Sequence, residues 1–190
     1  YAVCDWGRVV AIPDDMSFED AATLPIALGP MHDALVTNGR IKSGESVLIQ
    51  GASSGVGLMA LQIAKHLGAK LVIGTSTNAD RRSRLKSFGA DLAVDTTNPD
   101  WPALVLEATG GAGVKLIVDQ VSGALVNGNM RAAAILGRIV NVGRLGGGKA
   151  EFDFDLHANR RITYIGVTHR TRSVDERREE TRAMWADLAG

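Results

Sequence analysis

The chain has 190 residues, of which 45% are hydrophobic and 22% charged, the balance of a globular protein with one well-formed core. Lysine and arginine together number 21, and so do aspartate and glutamate, so no net charge attracts nucleic acid or an anionic membrane. No apolar run approaches the ~20 residues that cross a bilayer. Cys4 is the single cysteine, which excludes an internal disulfide or a zinc site of several thiolates and predicts a cytoplasmic location.

Short apolar runs alternate with helix-length amphipathic segments, and each run is nearly continuous, as in strands that are covered on both faces. This alternation predicts right-handed βαβ units and a parallel sheet. The expected fold is α/β, a doubly wound Rossmann domain with a six-stranded parallel sheet and helices on both faces. The predicted strands are Ser46–Gln50, Lys70–Gly74, Asp91–Val94, Val114–Asp119, Arg138–Val142 and Ile162–Val167.

Helix ends are marked by glycine, proline and capping residues. Left-handed glycine caps are expected at Gly68 and Gly89. The predicted helices are 56–67, 79–88, one capped by Asn98 with Pro99 at its first position, 123–134, and one that opens at the capping-box pair Ser173 and Glu176.

The first part of the chain does not follow the alternation. Tyr1–Pro13 has a strand-like pattern, and Cys4 is expected to be a small buried residue of that strand. Ser17 predicts the cap of a helix that ends before Pro25, and a second helix is expected from Pro30 to Asn38. Because the chain opens on a strand without an initiator methionine, we expect it to be part of a longer protein.

The segment Gly51–Gly57 joins a buried strand directly to a helix. Such a turn presents backbone N–H groups and a helix dipole, worth roughly half a charge, to a pyrophosphate. Small residues let the phosphates approach, and Gly57 lets the helix pack on the strand. A glycine-rich turn alone is weak evidence, but its place in a βαβ unit is what the dinucleotide fingerprint requires. The predicted contacts in this turn are Ser53, Ser54, Gly55, Val56 and Gly57.

The end of the second strand indicates which dinucleotide binds. An NAD site places an acidic residue there for the ribose 2′-hydroxyl, whereas this chain has Thr75 and Ser76. Arg81 follows and is predicted to hold a 2′-phosphate together with Ser76. Arg84 and Lys86 are interpreted as cations on a solvated helix face. NADP(H) is therefore favoured over NAD(H).

Several motifs resemble the medium-chain dehydrogenase/reductase superfamily, in its zinc-independent quinone oxidoreductase branch, which is similar to zeta-crystallin. They follow the family order over essentially the whole chain. They are Ser43–Gly57, Phe88–Asp91, Glu107–Val114, Ile117–Gly123 and Gly137–Gly143.

The resemblance implies a domain organisation and further site residues. Members carry the Rossmann domain between two parts of a GroES-like substrate domain. Residues 1–16 would then be a remnant strand and linker of that domain, and residues 17–190 the Rossmann domain. The resemblance also places the dinucleotide against Val121, Ser122 and Gly143. Thr96 stands where some members have a tyrosine near the 2′-phosphate, so that contact is not carried over.

No metal is expected. The zinc-dependent alcohol dehydrogenases of the superfamily have a ligand cysteine in the stretch that corresponds to Pro25–Leu28, and none of these four residues can ligate zinc. The histidines lack ligand spacing and are interpreted as surface or satisfied side chains; they are His32, His66, His157 and His169.

Two features of the C-terminal part bear on partners. The segment His169–Arg182 interleaves acidic residues with its arginines, so it is interpreted as a solvated helix rather than a binding patch. Strand Ile162–Val167 would be a sheet edge, and edges invite pairing with another chain. Family members dimerise there, so the resemblance implies a homodimer.

The expected activity is zinc-independent hydride transfer from NADPH to a quinone, an enone or a similar carbonyl compound, with no catalytic residue identified in this chain. The alternative is a nucleotide-binding module without catalysis of its own. Short-chain dehydrogenases are disfavoured because neither Tyr1 nor Tyr164 has a lysine four residues later. A methyltransferase is disfavoured because the second strand ends at Gly74 and Thr75 without an acid.

Overall fold

The computed structural model describes residues 3–188 and shows a parallel sheet in the order β3-β2-β1-β4-β5-β6. Each strand pairs with its neighbours in parallel, which confirms the predicted α/β class and the six strands. The strands are β1 (Ser46–Gln50), β2 (Leu71–Thr75), β3 (Leu92–Val94), β4 (Val114–Asp119), β5 (Ala133–Asn141) and β6 (Thr163–Gly166).

Helices connect the strands and cover the sheet. The α-helices are α1 (Phe18–His32), α2 (Gly55–His66), α3 (Ala79–Ser83), α4 (Trp101–Ala108), α5 (Val126–Ala132), α6 (Phe154–Arg160) and α7 (Val174–Leu188). A π-helical segment, Asp33–Asn38, continues α1, and 3₁₀ turns occupy Trp6–Arg8, Leu85–Phe88 and Gly123–Leu125.

The sheet separates two hydrophobic cores, because successive strand residues point to opposite faces. In β1, Val47 and Ile49 belong to the core under α1 and α2, whereas Leu48 belongs to the core under α4 and α5. All five residues of β1 are buried, as a strand covered on both faces requires. The doubly wound arrangement is therefore confirmed.

The chain reverses its direction of winding between β1 and β4. From β1 the chain proceeds to β2 and β3 on one side, then returns to β4, β5 and β6 on the other. In open α/β sheets, ligands bind in the crevice outside the carboxyl ends of the strands at such a switch point. Gln50 and Asp119 are paired at this point, at the ends of β1 and β4.

The first helix is longer than predicted. Ser17 caps it as expected, with its Oγ accepting the N–H of Asp20 at 3.0 Å. The helix does not stop before Pro25, and no separate helix starts at Pro30, because both prolines lie inside α1. Packing of α1 against α2 and α7 outweighs the two backbone hydrogen bonds that the prolines cannot make.

The strand predicted at the beginning of the chain is absent from residues 3–13. Asp5 instead caps a 3₁₀ turn by accepting the N–H of Gly7, and its carboxylate pairs with Arg178 of α7. These contacts hold the segment on a helix rather than beside a strand. Cys4 is exposed, so its predicted burial is wrong. The origin of residues 1–16 in a substrate domain stays a prediction.

Other element boundaries differ locally. The helix expected at 79–88 changes into 3₁₀ turns after Arg84, which lets Leu85 reach the core. Asn98 caps no helix; its Oδ1 accepts the N–H of Asp100, and α4 starts later. The helix expected at 123–134 is shorter, because β5 already begins at Ala133 and bulges where Leu136 has a φ of 60°. Helix α6 was not predicted.

The remaining boundary signals are confirmed. Gly68 and Gly89 have φ values of 79° and 99°, as left-handed caps require. In the capping box before α7, the N–H of Ser173 donates to Glu176 at 2.7 Å and the N–H of Glu176 donates to Ser173 Oγ at 3.2 Å. Within residues 3–188, no helix combines the length and apolarity needed to cross a bilayer.

Candidate nucleotide-binding site

The turn between β1 and α2 exposes the amide groups expected of a phosphate-binding loop. Gly51 turns the chain with a φ of 68°, and Ser54 caps α2 by accepting the N–H of Gly57 at 3.1 Å. The backbone N–H groups of Gly55 and Val56 donate to no atom of residues 3–188. Because they are the first two amides of α2, they lie at the positive end of its dipole. This corner can accept an anion.

Two glycines of the turn differ in the space that surrounds them. A Cβ on Gly57 would lie 2.6 Å from the carbonyl oxygen of Gly51 and 2.7 Å from Cα of Ala52, so only glycine lets α2 approach the end of β1 this closely. A Cβ on Gly55 would meet nothing within 4 Å. The space above Gly55 is thus open, as a bound phosphate requires.

A chain of buried side chains lies directly beneath the turn. Thr75 Oγ1 accepts the N–H of Gly51 at 3.0 Å and donates to Gln50 Oε1 at 2.7 Å. Gln50 donates in turn to Asn129 at 2.7 Å, and Asn129 donates to Asp119 at 2.9 Å. We call these four residues the polar chain. It links β2, β1, α5 and β4, so it holds the strand ends on both sides of the switch point.

Asp119 anchors the other half of the site. One of its oxygens accepts the N–H groups of Val121 and Ser122 at 2.9 and 2.8 Å. Burial raises the pKa of this carboxyl group, while the hydrogen bonds from Ser122, Val121 and Asn129 act in the opposite direction. The carboxylate thereby fixes the turn that follows β4.

Val121, Ser122 and Gly143, which the resemblance placed on the dinucleotide, lie together. Ser122 Oγ donates to the carbonyl oxygen of Gly143 at 2.6 Å, so its hydroxyl hydrogen is already engaged. A Cβ on Gly143 would lie 2.4 Å from the carbonyl oxygen of Gln120, so the two turns pack without room for a side chain. A Cβ on Gly51 would lie 3.2 Å from Cγ2 of Val121, so this side chain borders the turn between β1 and α2.

At the end of β2, the structure brings Ser76 to Ser53 and places a different arginine beside them. The hydroxyl of Ser76 donates to that of Ser53 at 2.9 Å. Arg82 donates to the carbonyl oxygen of Ser76 at 2.8 Å and pairs with Asp95 at 2.9 Å. Arg81 is exposed on α3, and its part in binding stays a prediction. Thr75, buried in the polar chain, supports the turn from below.

Sequence reasoning missed most of the residues that support the site. Gln50, Asn129 and Asp119 are polar residues inside or next to apolar segments, and that position was the available signal. Arg82 could not be distinguished from its neighbour, because the two differ only in which side of α3 they occupy. The pairing of Arg82 with Asp95 is a contact between α3 and the end of β3.

No group of three or more histidine, cysteine, aspartate or glutamate side chains within residues 3–188 could hold a metal ion. Pro25–Leu28 lies within α1, and the absence of a metal remains a prediction.

A nucleotide-binding α/β domain is thus defined by fold and geometry, and comparisons with known proteins identify its family. Residues 55–189 match the family model described as "Zinc-binding dehydrogenase". The chain belongs to this family, within the medium-chain dehydrogenase/reductase superfamily, as the motifs implied.

The chain is similar to parts of longer proteins. It is 36% identical over 151 residues to the hybrid PKS-NRPS synthetase pynA of Aspergillus niger, covering 78% of this chain and 4% of the synthetase. The mycobacterial protein Rv1454c, solved with NADPH, is 27% identical with a TM-score of 0.82, over 94% of this chain and 56% of that one. The CurK enoyl reductase is 26% identical with a TM-score of 0.79, over 95% and 53%. The chain therefore spans about half the length of these solved relatives.

Substitution of the two glycines separates packing from space for a ligand. Gly57→Ala should lower the free energy of unfolding by about 1–3 kcal/mol, because its Cβ overlaps the backbone of Gly51 and Ala52. Gly55→Ala, the matched control, should stay within about 1 kcal/mol of the original chain, because its Cβ enters open space. Urea unfolding measures both. Equal effects of the two substitutions would contradict this account of the turn.

Asp119→Asn tests the burial of the carboxyl group. Because burial raises the pKa of Asp119 in the folded chain, the stability linked to this group is fully present below its unfolded pKa of about 3.9 and is lost as the pH rises through the folded pKa. The stability of the original chain relative to the variant should thus fall as the pH rises from about 4 towards neutral. Urea unfolding of both proteins across this range measures the difference. A difference that grows with pH would contradict the predicted direction.

Proposed function

We propose that this chain is the NADP(H)-binding domain of a zinc-independent oxidoreductase that transfers a hydride to a quinone, an enone or a similar carbonyl compound. The observation that carries the proposal is the pair of free amides, Gly55 and Val56, at the N-terminus of α2 above an open glycine position. A pyrophosphate fits this corner, because the corner offers the positive end of a helix dipole, open space and free N–H donors.

The residues divide between holding the dinucleotide and holding the loop. Ser53, Gly55 and Val56 would face the pyrophosphate, and Val121 and Gly143 would border the half of the dinucleotide beyond the switch point. Ser54, Gly57 and Thr75 act from beneath by fixing the turn. When bound, the reduced nicotinamide supplies the hydride.

A 2′-phosphate is favoured over a free ribose hydroxyl at the end of β2. No carboxylate takes the place of the acid that binds an NAD ribose, because Thr75 and Ser76 end the strand. The hydroxyls of Ser53 and Ser76 lie together, and Arg82 lies at the carbonyl of Ser76. Two hydroxyls and an adjacent guanidinium suit a phosphate. The NADPH bound by the mycobacterial relative supports the same cofactor.

The acceptor is proposed from the chemistry of relatives. An enoyl reductase among the structural relatives supports an α,β-unsaturated carbonyl compound. Hydride transfer to such a compound depends on positioning and on stabilising charge at the carbonyl oxygen, and it requires no metal from this chain.

A second candidate function is a nucleotide-binding module without catalysis. The observation that favours it is the coverage, since the chain spans about half of the solved relatives. The two functions are distinguished by mixing the chain with NADPH and a panel of quinones and enones. Loss of absorbance at the reduced nicotinamide band supports the enzyme, and binding without loss supports the module.

We also propose that the chain forms a homodimer through β6. This strand ends the sheet, and its second edge pairs with no strand within residues 3–188. Light scattering at high concentration should show twice the mass of the chain, and Thr163→Lys on the exposed edge should shift the population to monomer by like-charge repulsion. A monomer at every concentration would remove the proposal.

Parallel titrations with NADPH and NADH test the cofactor. Arg82→Ala should weaken NADPH binding by about tenfold and leave NADH unchanged, because only NADPH carries the 2′-phosphate. Arg81→Ala on the same helix should have a smaller effect than Arg82→Ala if Arg82 makes the contact, and a larger effect if the sequence-based expectation holds. Quenching of intrinsic fluorescence measures the affinities.

The control for these titrations is Gly55→Ala, which should weaken both dinucleotides because its Cβ occupies the space of the pyrophosphate that they share. Tighter binding of NADH than of NADPH by the original chain would overturn the choice of cofactor. Binding of neither dinucleotide would overturn the proposed function.

A further inference from the structure

A large groove lies outside the nucleotide-binding turn, between the N-terminal segment, α1 and α7. Its volume is about 1050 Å³, at the upper end of the roughly 300–1,000 Å³ typical of small-molecule sites. Apolar side chains dominate its lining. They include Val10, Ile12, Leu24, Ile26, Met184 and Trp185.

Charged side chains interrupt this apolar lining: Arg8 of the N-terminal segment, and Arg170, Arg177, His169 and Glu180 of the loop after β6 and of α7. His169 and Glu180 are paired there, with His169 Nε2 3.0 Å from Glu180 Oε1. The Glu180 side chain is 5% exposed, whereas that of His169 is 42% exposed. A carboxylate is buried only when it has partners, so the partners of Glu180 decide what the pair can do.

The second partner of Glu180 is Arg172, whose Nη1 lies 3.1 Å from Glu180 Oε2. Arg172 also binds the fully buried Asp33 at 2.7 Å. Burial opposes the charge of Arg172, but Asp33 and Glu180 raise its pKa, so the guanidinium is a permanent cation between two carboxylates. The solvated helix expected from the sequence is wrong at these positions. Arg172 holds Glu180 in place, and Glu180 lies within ion-pair distance of the His169 ring.

The ring has one nitrogen left for a ligand. Nε2 lies 3.0 Å from Glu180 Oε1, and Nδ1 has no hydrogen-bond partner in the part of the chain that the structure describes. The other charged groups near this loop are Arg177, which donates to the carbonyl oxygen of His169 at 3.2 Å, and Arg170, which lines the groove. When the ring carries both protons, Nε2–H faces the carboxylate and Nδ1–H is free to donate.

The position of His169 in the sheet matches the proposed chemistry. It follows β6, which ends at Gly166, so it lies at the carboxyl edge of the sheet, the edge at which a dinucleotide binds. Strand β6 is on the β4 side of the switch point, opposite the 2′-phosphate corner at β2. A dinucleotide bound across the switch point would reach from that corner to this side.

We propose that the groove binds a linear, apolar carbonyl compound such as an aliphatic enone, and that His169 donates a hydrogen bond from Nδ1 to its carbonyl oxygen. This inference rests on the proposed function and names a substrate class and a residue for it. In the proposed reduction a hydride would add to the β-carbon, the electrons of the C=C bond would shift to the carbonyl oxygen, and water would protonate the resulting enolate. A donor at that oxygen stabilises the charge that develops there.

Binding to the groove can be measured without turnover. Trp185 lines the groove, whereas Trp101 is buried in the other core and Trp6 lies under Arg178. A medium-chain linear enone should quench the fluorescence of Trp185, and Trp185→Phe should abolish the quenching. The alkane of the same length is the matched ligand, because it has the apolar body without the carbonyl group.

The enone should bind about tenfold more tightly than the alkane, since it makes one further hydrogen bond. His169→Leu should remove this preference while the affinity for the alkane is unchanged, a pattern that loss of structure would not produce. His169→Gln should retain part of the preference because an amide can donate. His157→Gln, on α6 outside the groove, should behave as the original chain.

Three results would overturn the inference: equal affinity for enone and alkane, a preference that survives His169→Leu, or quenching that survives Trp185→Phe. A Trp185 signal that changes on concentrating the chain but not on adding enone would also overturn it and assign the groove to a second copy. If the enone shows no preference over the alkane but NADPH binds normally, the groove proposal fails and the proposed function stands. Enone binding without NADPH binding overturns the proposed function and leaves the groove as a carbonyl site.

Discussion

Four side chains that solvent barely reaches hold together the carboxyl edge of the sheet. Gln50, Thr75, Asp119 and Asn129 are at most 1% exposed, and each is hydrogen-bonded to the next. Burying a polar group costs free energy unless it is hydrogen-bonded, so the polar chain tolerates few alternative arrangements. Because its ends bind the backbone after β1 and after β4, it sets the relative position of the two turns that would hold a dinucleotide.

Two glycines fix the packing of the turns that the polar chain supports. Gly57 brings the first turn of α2 onto the backbone of Gly51, and Gly143 lies against the carbonyl of Gln120, in each case at a distance that excludes a Cβ. The free amides of α2 therefore lie on a tightly packed turn. A site of this kind needs little rearrangement to bind an anion, because its donors are already oriented.

Charge is distributed differently on the two sides of the switch point. On the β2 side, Arg82 is shared between Asp95 and the backbone near two hydroxyls, an arrangement open to a phosphate. On the β6 side, Arg172 lies between the carboxylates of Asp33 and Glu180, and Glu180 is 3.0 Å from the exposed imidazole of His169. The first arrangement suits recognition of a cofactor and the second suits a neutral ligand with one polar group. Both are built from arginines on or beside surface helices.

Local pattern determined the fold class, the number of strands, the capping box before α7 and the glycine turn between β1 and α2, because each depends on residues close together in the chain. Composition also determined that the chain has no internal disulfide, since it has one cysteine. The prolines of α1 were misleading, because packing outweighs helix propensity. Only the tertiary structure decided that Arg82 rather than Arg81 faces Ser76, and that Glu180 is buried against Arg172 and Asp33. The Arg172–Asp33 pair joins residues far apart in sequence, and the contact of Arg82 depends on which side of α3 lies beside Ser76. The strength of these pairings depends on burial, which no local pattern encodes.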